Sequence, residues 1–239
     1  MADVPTKSDN DPYASVDSGV DNLAAFVTNT ADTPILINGR PLKSVNQFYN
    51  KRIDGLQSLR PKYFSRRMSL ITSKRNRQIE DYLHKASRLI VAECSARDVN
   101  IIVIGQNKNW KQRIELSKRV NKNFVQLPFA KFVQMIKYKA ESRGITILLT
   151  EESYTSGTSF LDGELPTKDN YDKRRRVHRG LFIANDGTRI NSDVNGAFQI
   201  MRKVLPMLKN YEIEAVRYSP FCDTPDEKGL LSKLRKTFL

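Results

Sequence analysis

Apolar positions come in two rhythms along this chain, and the change from one to the other marks its organisation. Near the amino end they form short runs: Tyr13 to Asp17, Leu23 to Thr28 and Pro34 to Ile37. A turn containing Gly19 separates the first two, and Asn38-Gly39 closes the third. Short runs bounded by turn residues predict strands, and their close spacing predicts an antiparallel meander. The rhythm then becomes helical. Ser44 to Leu56 reads as a helix with Ser44 at its N-cap, and residues 60–73 are basic and less regular. From Lys74 to Arg97, Ile79, Leu83, Ala86, Ile90 and Cys94 recur at steps of three and four, which predicts one long amphipathic helix. Asn100 to Ile104 is a short Ile- and Val-rich run, hence a buried strand. Phe129, Phe132, Val133, Ile136 and Ala140 line a further helix that starts at Pro128 and stops at Gly144. Ile145 to Thr150 is a fifth strand, and Asn191 to Leu205 a last helix with Val194, Ala197, Met201 and Val204 on one face.

Three meandering strands followed by two strands alternating with helices is the order of an α/β, RNase H-like fold. The expectation is a mixed five-stranded sheet with flanking helices and a helical insertion over about 44–98. One domain would span 13–208, behind a disordered lead at 1–12 and ahead of a weakly ordered tail at 209–239. Residues 157–181 read as a loop-like basic insertion. In such sheets the last two strands run parallel to the first, and ligands sit at the carboxyl ends of the strands. Asp17 ends the first strand, Gly105 follows the fourth, and Glu151 and Glu152 follow the fifth.

Charge sharpens this picture. Of 239 residues, 40 are Lys or Arg and 26 are Asp or Glu, a formal net charge of +14 spread along the chain. A distributed excess of this size suits a phosphate-bearing partner. The only cysteines, Cys94 and Cys222, lack neighbours at metal-ligand spacing, so no zinc site is expected. No apolar run approaches membrane-spanning length and the first residues are unlike a signal peptide, so the expected setting is cytoplasmic and nucleoid-associated, with no membrane partner.

Against that basic background three acidic segments stand out: Tyr13-Ala-Ser-Val-Asp17-Ser-Gly-Val, Thr150-Glu-Glu152-Ser-Tyr-Thr-Ser156 and Asn191-Ser-Asp193-Val-Asn195-Gly-Ala197. Converging carboxylates are what two-metal phosphodiester cleavage needs, with Mg²⁺ (or Mn²⁺) clamping the attacking and leaving oxygens. Taken singly, each has a plainer reading. Asp17 suits a turn, Asp193 suits a helix N-cap, and Glu151 and Glu152 suit a solvated strand end. Trp110 with Lys108 and Lys111 is either a base-stacking platform or a loop anchor. Arg174, Arg175, Arg176 and Arg179 are candidate nucleic-acid contacts.

The spaced motifs resemble the TnpB family of insertion-sequence proteins, RNA-guided DNA endonucleases with a RuvC-like domain. The matching segments are Val16-Asp-Ser-Gly-Val-Asp-Asn-Leu-Ala24, Pro41 to Lys51, Lys74 to Ser87, Ile104 to Gln112, Tyr138-Lys-Ala-Glu141 and Asp193-Val-Asn-Gly-Ala197. The resemblance implies that Asp17 is the first catalytic aspartate and Asp193 the last. The usual middle acid is replaced by Gly105. A subgroup of the family moves that glutamate to the next strand, in a pattern that Glu152-Ser-Tyr-Thr-Ser156 fits. Glu152 is therefore the expected third metal ligand, Glu151 its alternative, and Asn195 a hydrogen-bonding neighbour of the metal shell. The family's zinc ribbon would follow Ser156, where this chain has Gly157-Thr-Ser-Phe-Leu-Asp-Gly-Glu164 and no cysteine. Its amino-terminal lobe, which grips guide RNA and reads the target-adjacent motif, has no counterpart before Tyr13. The chain thus resembles the nuclease half, and a separate chain could supply the lobe.

Two functions from different classes follow. One is an Mg²⁺-dependent endonuclease acting on DNA with a guide RNA. The other is a catalytically inactive nucleic-acid-binding remnant or regulator. The retained acids favour the first, since carboxylates repel phosphate and give a pure binder nothing. A strand-transfer transposase would use similar acids, but the resemblance points away from it.

Overall fold

The structure, a computed structural model, describes residues 11–30, 33–59, 65–106, 127–178, 180–207 and 221–225. The expected strands all form: β1 (Tyr13–Ser18), β2 (Asn22–Thr28), β3 (Ile35–Asn38), β4 (Ile101–Gln106) and β5 (Thr146–Glu151). Their order across the sheet is β5-β4-β1-β2-β3. The meander β1-β2-β3 is antiparallel, while β4 and β5 run parallel to β1. A sixth strand, β8 (Phe221–Asp223), lies parallel to β3 at the outer edge. The expected mixed sheet of five strands is thus present and extended by one, from the segment read as a weakly ordered tail. Its prolines, Pro220 and Pro225, flank the strand rather than interrupt it.

The helices are α1 (Arg40–Leu59), α2 (Arg66–Ala96), α3 (Phe129–Glu141) and α4 (Ser192–Val204). Helix α1 begins four residues ahead of Ser44. Helix α2 begins well before Lys74, because Ser65 caps it by accepting from the Met68 amide at 3.3 Å and Met68 is buried. Part of the stretch judged irregular is therefore helix.

Both faces of the sheet are covered, so its central strands are apolar at every position rather than at alternate ones. Ala14, Val16, Ala24, Phe26, Ile102 and Ile104 join the core built with α2 and α3. Tyr13, Ala25, Val27, Ile101 and Val103 join the core built with α4. This parity fixes the face on which everything at the strand ends must emerge.

The segment after β5 is more ordered than a loop. It carries a short 3₁₀ turn at Lys173–Arg175 and a hairpin of β6 (Leu181–Ile183) and β7 (Arg189–Asn191). Asp186-Gly187 makes the hairpin turn, with Gly187 at φ +83°. Phe160, Phe182 and Ile190 bury against α4. Among the described residues no helix is long and apolar enough to cross a membrane.

Candidate active site

Tyr13, Ser15 and Asp17 share one face of β1 by the period of two. Tyr13 belongs to the α4-side core, and the Ser15 hydroxyl donates to the Ala197 carbonyl of α4 at 2.5 Å. Asp17 therefore emerges toward the amino end of α4. There it meets Gly196: a Cβ at that position would lie 2.6 Å from Asp17 Oδ2. Only a residue without a side chain lets the helix come this near to the carboxylate.

Parity also settles the two glutamates. In β5, Leu148 packs into the α4-side core, whereas Ile147 packs into the opposite one. Residue 152 continues the phase of Leu148 and residue 151 that of Ile147. The Glu152 carboxylate accordingly returns over β4, with Oε2 3.4 Å from where a Cβ on Gly105 would stand. Glu151 remains exposed and accepts from the Ser153 hydroxyl at 2.6 Å. Registers place Val16 beside Ile104 and Gly105 beside Thr150, so Asp17, Gly105 and the start of the Glu151-Glu152 pair end at one level of the sheet.

Asp193 sits in the first turn of α4 but does not cap it. Asn191 does, accepting from the amides of Asp193 at 2.9 Å and Val194 at 3.2 Å. That leaves the Asp193 carboxylate for side-chain partners. Oδ2 accepts from Asn22 Nδ2 at 2.7 Å, and Oδ1 from the Arg176 guanidinium at 3.2 Å. The three acids share one electrostatic field. Burial first, then the negative charges of Glu152 and Asp193, raise the Asp17 carboxyl well above its usual range, while Arg176 pulls it down. Such a cluster of hard oxygen donors suits a divalent cation, which would relieve the repulsion. The spacing is not yet that of a coordination shell: among the described residues, no three His, Cys, Asp or Glu side chains stand close enough together to hold one ion. Arg176 supplies positive charge there instead.

Asn195 departs from expectation. It is fully buried, donates to the Thr158 carbonyl at 2.8 Å and accepts from the Phe160 amide at 2.9 Å. Both amide groups fasten the post-β5 segment to α4, so its role is positioning rather than contact with the acids. Arg202 completes that attachment. Buried to 2% exposure, it donates to the carbonyls of Phe160 at 3.1 Å and Glu164 at 3.2 Å and lies 4.2 Å over the Phe160 ring. Burial pushes its guanidinium down to about 10. Phe160 in turn stacks on Phe198 at 4.4 Å.

The basic run divides into three different roles. Arg174 is exposed and paired with Asp172. Arg175 is turned inward, donating to Glu164 at 2.7 Å, so it is a strut and not the nucleic-acid contact the sequence suggested. Arg176 reaches Asp193. Lys108, Trp110, Lys111 and Arg179 lie outside the described residues. Sequence reasoning missed Gly196, Asn22 and Arg202. Only Gly196 left a signal, since glycine inside a helix costs about 1 kcal/mol and needs a reason.

Known proteins resemble this chain in sequence and in fold. The OrfB_IS605 family model, described as a probable transposase, matches residues 1–111, and the Cas12f1-like TNB domain model matches residues 129–200. The CRISPR-associated endodeoxyribonuclease Cas12f2 of a Micrarchaeota archaeon is 28% identical over 213 residues, covering 82% of this chain and 38% of that protein. The TnpB-like protein ORF457 of Acidianus two-tailed virus is 25% identical over 217 residues, covering 85% of this chain and 44% of its own. The chain thus spans less than half the length of either relative. Among solved structures, Cas12f1 in a cryo-EM complex with single guide RNA and target DNA aligns with a TM-score of 0.62 at 18% identity, over 83% of this chain and 50% of that one. A second cryo-EM structure, a CRISPR-Cas12f ternary complex, aligns with the same TM-score at 19% identity, over 83% of this chain and 40% of that one. At these identities the structural likeness establishes the fold.

Proposed function

We propose that this chain is a member of the TnpB family and the RuvC-like nuclease part of an Mg²⁺-dependent, RNA-guided DNA endonuclease. Members of the family are RuvC-like endonucleases, generally RNA-guided and dependent on a divalent metal. The observation that carries the reading is that Asp17, Glu152 and Asp193 come from three separate elements into one field on the α4 side of the sheet.

Asp17, Glu152 and Asp193 would hold the metal. Bound Mg²⁺ supplies an attacking water of lowered pKa and a stabiliser for the leaving 3′ oxygen. The chain's own residues arrange the donors. Gly196 fixes the height of Asp17 against α4, and the Ser15 bond to Ala197 holds strand and helix in register. Asn22 and Arg176 hold the two oxygens of Asp193. The Arg202 and Asn195 contacts keep the segment after Glu152 in place. A net charge of +14 draws the polyanion to this surface. Guide RNA and target DNA are the proposed partners, with the guide-gripping lobe contributed from outside the residues considered.

A second reading, a binding protein without cleavage, is favoured by two observations: Arg176 occupies Asp193, and among the described residues no three acids group closely enough to hold one ion. Purification from the host, sequencing of the co-purified RNA and incubation with matching DNA decide between them. Cutting in Mg²⁺ that stops in EDTA supports the nuclease. Tight, salt-sensitive binding without cutting at any divalent concentration supports the binder.

A further inference from the structure

Two exposed tyrosines, Tyr154 and Tyr171, pack together in the segment that follows Glu152. Tyr154 follows Glu152 by two residues, so the two Cα atoms are within about 7.6 Å of each other. The residue is 41% exposed, and its backbone sits at φ +64°, in the left-handed region that penalises a side chain. The same turn is pinned on both sides, by Thr155 Oγ1 donating to the Glu152 carbonyl at 2.8 Å and Thr158 Oγ1 donating to the Tyr154 carbonyl at 3.0 Å. Tyr154 is thus held where it stands.

Tyr171 meets it edge to face, with centroids 5.8 Å apart and rings inclined by 71°, and is 38% exposed itself. Gly157 makes room for it, since a Cβ there would fall 2.5 Å from the Tyr171 ring. In an edge-to-face pair one ring keeps both faces uncovered by its partner. The chain beyond Tyr171 then delivers exposed Lys173 and Arg174, and Arg176 on Asp193. Aromatic faces beside exposed Lys173 and Arg174, at the margin of a phosphodiester-cleaving site, match the chemistry of an unpaired nucleotide: the base stacks while its phosphate meets the cations.

We propose that Tyr154 and Tyr171 form a stacking platform for an unpaired base of the DNA strand that enters the acid cluster. The proposal rests on the nuclease reading for its direction, but its test does not need cleavage. In EDTA, the full chain would be titrated into a single-stranded oligonucleotide carrying 2-aminopurine, and into the same oligonucleotide with abasic sites. Wild type should quench the fluorescence and prefer the base-containing strand. Tyr154→Gly, which suits φ +64° and so spares the fold, and Tyr171→Ala should each remove the quenching and weaken binding about tenfold. Binding of the abasic strand should not change. Tyr154→Phe and Tyr171→Phe should behave as wild type. Quenching and affinity unaffected in both Tyr154→Gly and Tyr171→Ala overturn the platform. If the platform variants lose stacking while wild type fails to cut in Mg²⁺, the platform stands and the nuclease reading falls. If wild type cuts and the variants bind and cut as it does, the reverse holds.

Discussion

Gly105 and Glu152 share one space: a Cβ on Gly105 would lie 3.4 Å from Glu152 Oε2 and 2.5 Å from Ile200 Cδ1. The carboxylate from the edge strand fills the place where an acid on β4 would otherwise project. Glu152→Gln should therefore reduce Mg²⁺-dependent cleavage by at least 100-fold, since it keeps the shape and removes the charge. Glu151→Gln, whose side chain faces the other way, should cut within about twofold of wild type. Parallel cleavage assays decide it, and loss in Glu151→Gln alone would reverse the assignment. Restoring the β4 acid by Gly105→Glu in the Glu152→Gln background must also clear Ile200. The rescue should appear only when Ile200→Val is added.

Gly196→Ala should separate folding from activity. The added methyl would meet Asp17 Oδ2 at 2.6 Å and must push the carboxylate aside. Displacement of a catalytic group by about 1 Å costs on the order of 100-fold in rate. Alanine also favours helix by about 1 kcal/mol over glycine. The thermal midpoint should thus hold or rise while cleavage falls. A variant that cuts normally would show that Asp17 acts from elsewhere.

Asp17 carries a pH signature. Its folded pKa is raised, first by burial and then by Glu152 and Asp193, above the ordinary 3.8. The contribution of a group raised in this way is fully present below its unfolded pKa. It is lost as pH rises through the folded pKa, so the metal-free protein pays for the ionised carboxylate at neutral pH. Asp17→Asn should stabilise the metal-free chain at pH 7 by about 1 kcal/mol, or about 2–4 °C in Tm. The difference should vanish toward pH 3.8. Melting curves in EDTA across that range test the sign. Cleavage should be abolished in the same variant.

Arg202→Ala should unfold the post-β5 segment without touching the acids. The buried guanidinium supports Phe160 and the Glu164 carbonyl, and its loss leaves a cavity under the Phe160 ring and each carbonyl with a single donor, the Gly163 amide for Phe160 and Gln199 Nε2 for Glu164. The expected cost is about 2–4 kcal/mol. Hydrogen exchange should quicken first at residues 158–165, and a uniform change across β1 to β5 would contradict this.

The sheet was legible because its strands are buried on both faces, which makes Tyr13 to Asp17 and Asn100 to Ile104 read as continuous apolar runs. Strand parity told only that one of Glu151 and Glu152 faces the acids, and the choice of Glu152 rested on the resemblance of Glu152-Ser-Tyr-Thr-Ser156 to the family pattern. The start of α2 was not legible, because its first turns, Arg66 to Arg77, are mostly exposed and basic and bury only Met68. β8 was hidden by its length of three residues. The hairpin around Asp186-Gly187 was left unassigned, because each of its strands is three residues long. The partners of Asp193 were beyond reach. Nothing in the local sequence of Asn22 points to a residue 171 positions away, and the Arg run gave no hint that Arg175 and Arg176 would turn in different directions.

The Ser15 to Ala197 bond spans 182 positions and the Asn22 to Asp193 bond 171. Contacts this distant in sequence close late in folding, after the local helices and the meander. A ribosome-bound chain that has not yet released α4 holds Asp17 and Glu152 without Asp193. By this wiring the three acids proposed to hold metal come together only when α4 docks against β1 and β2.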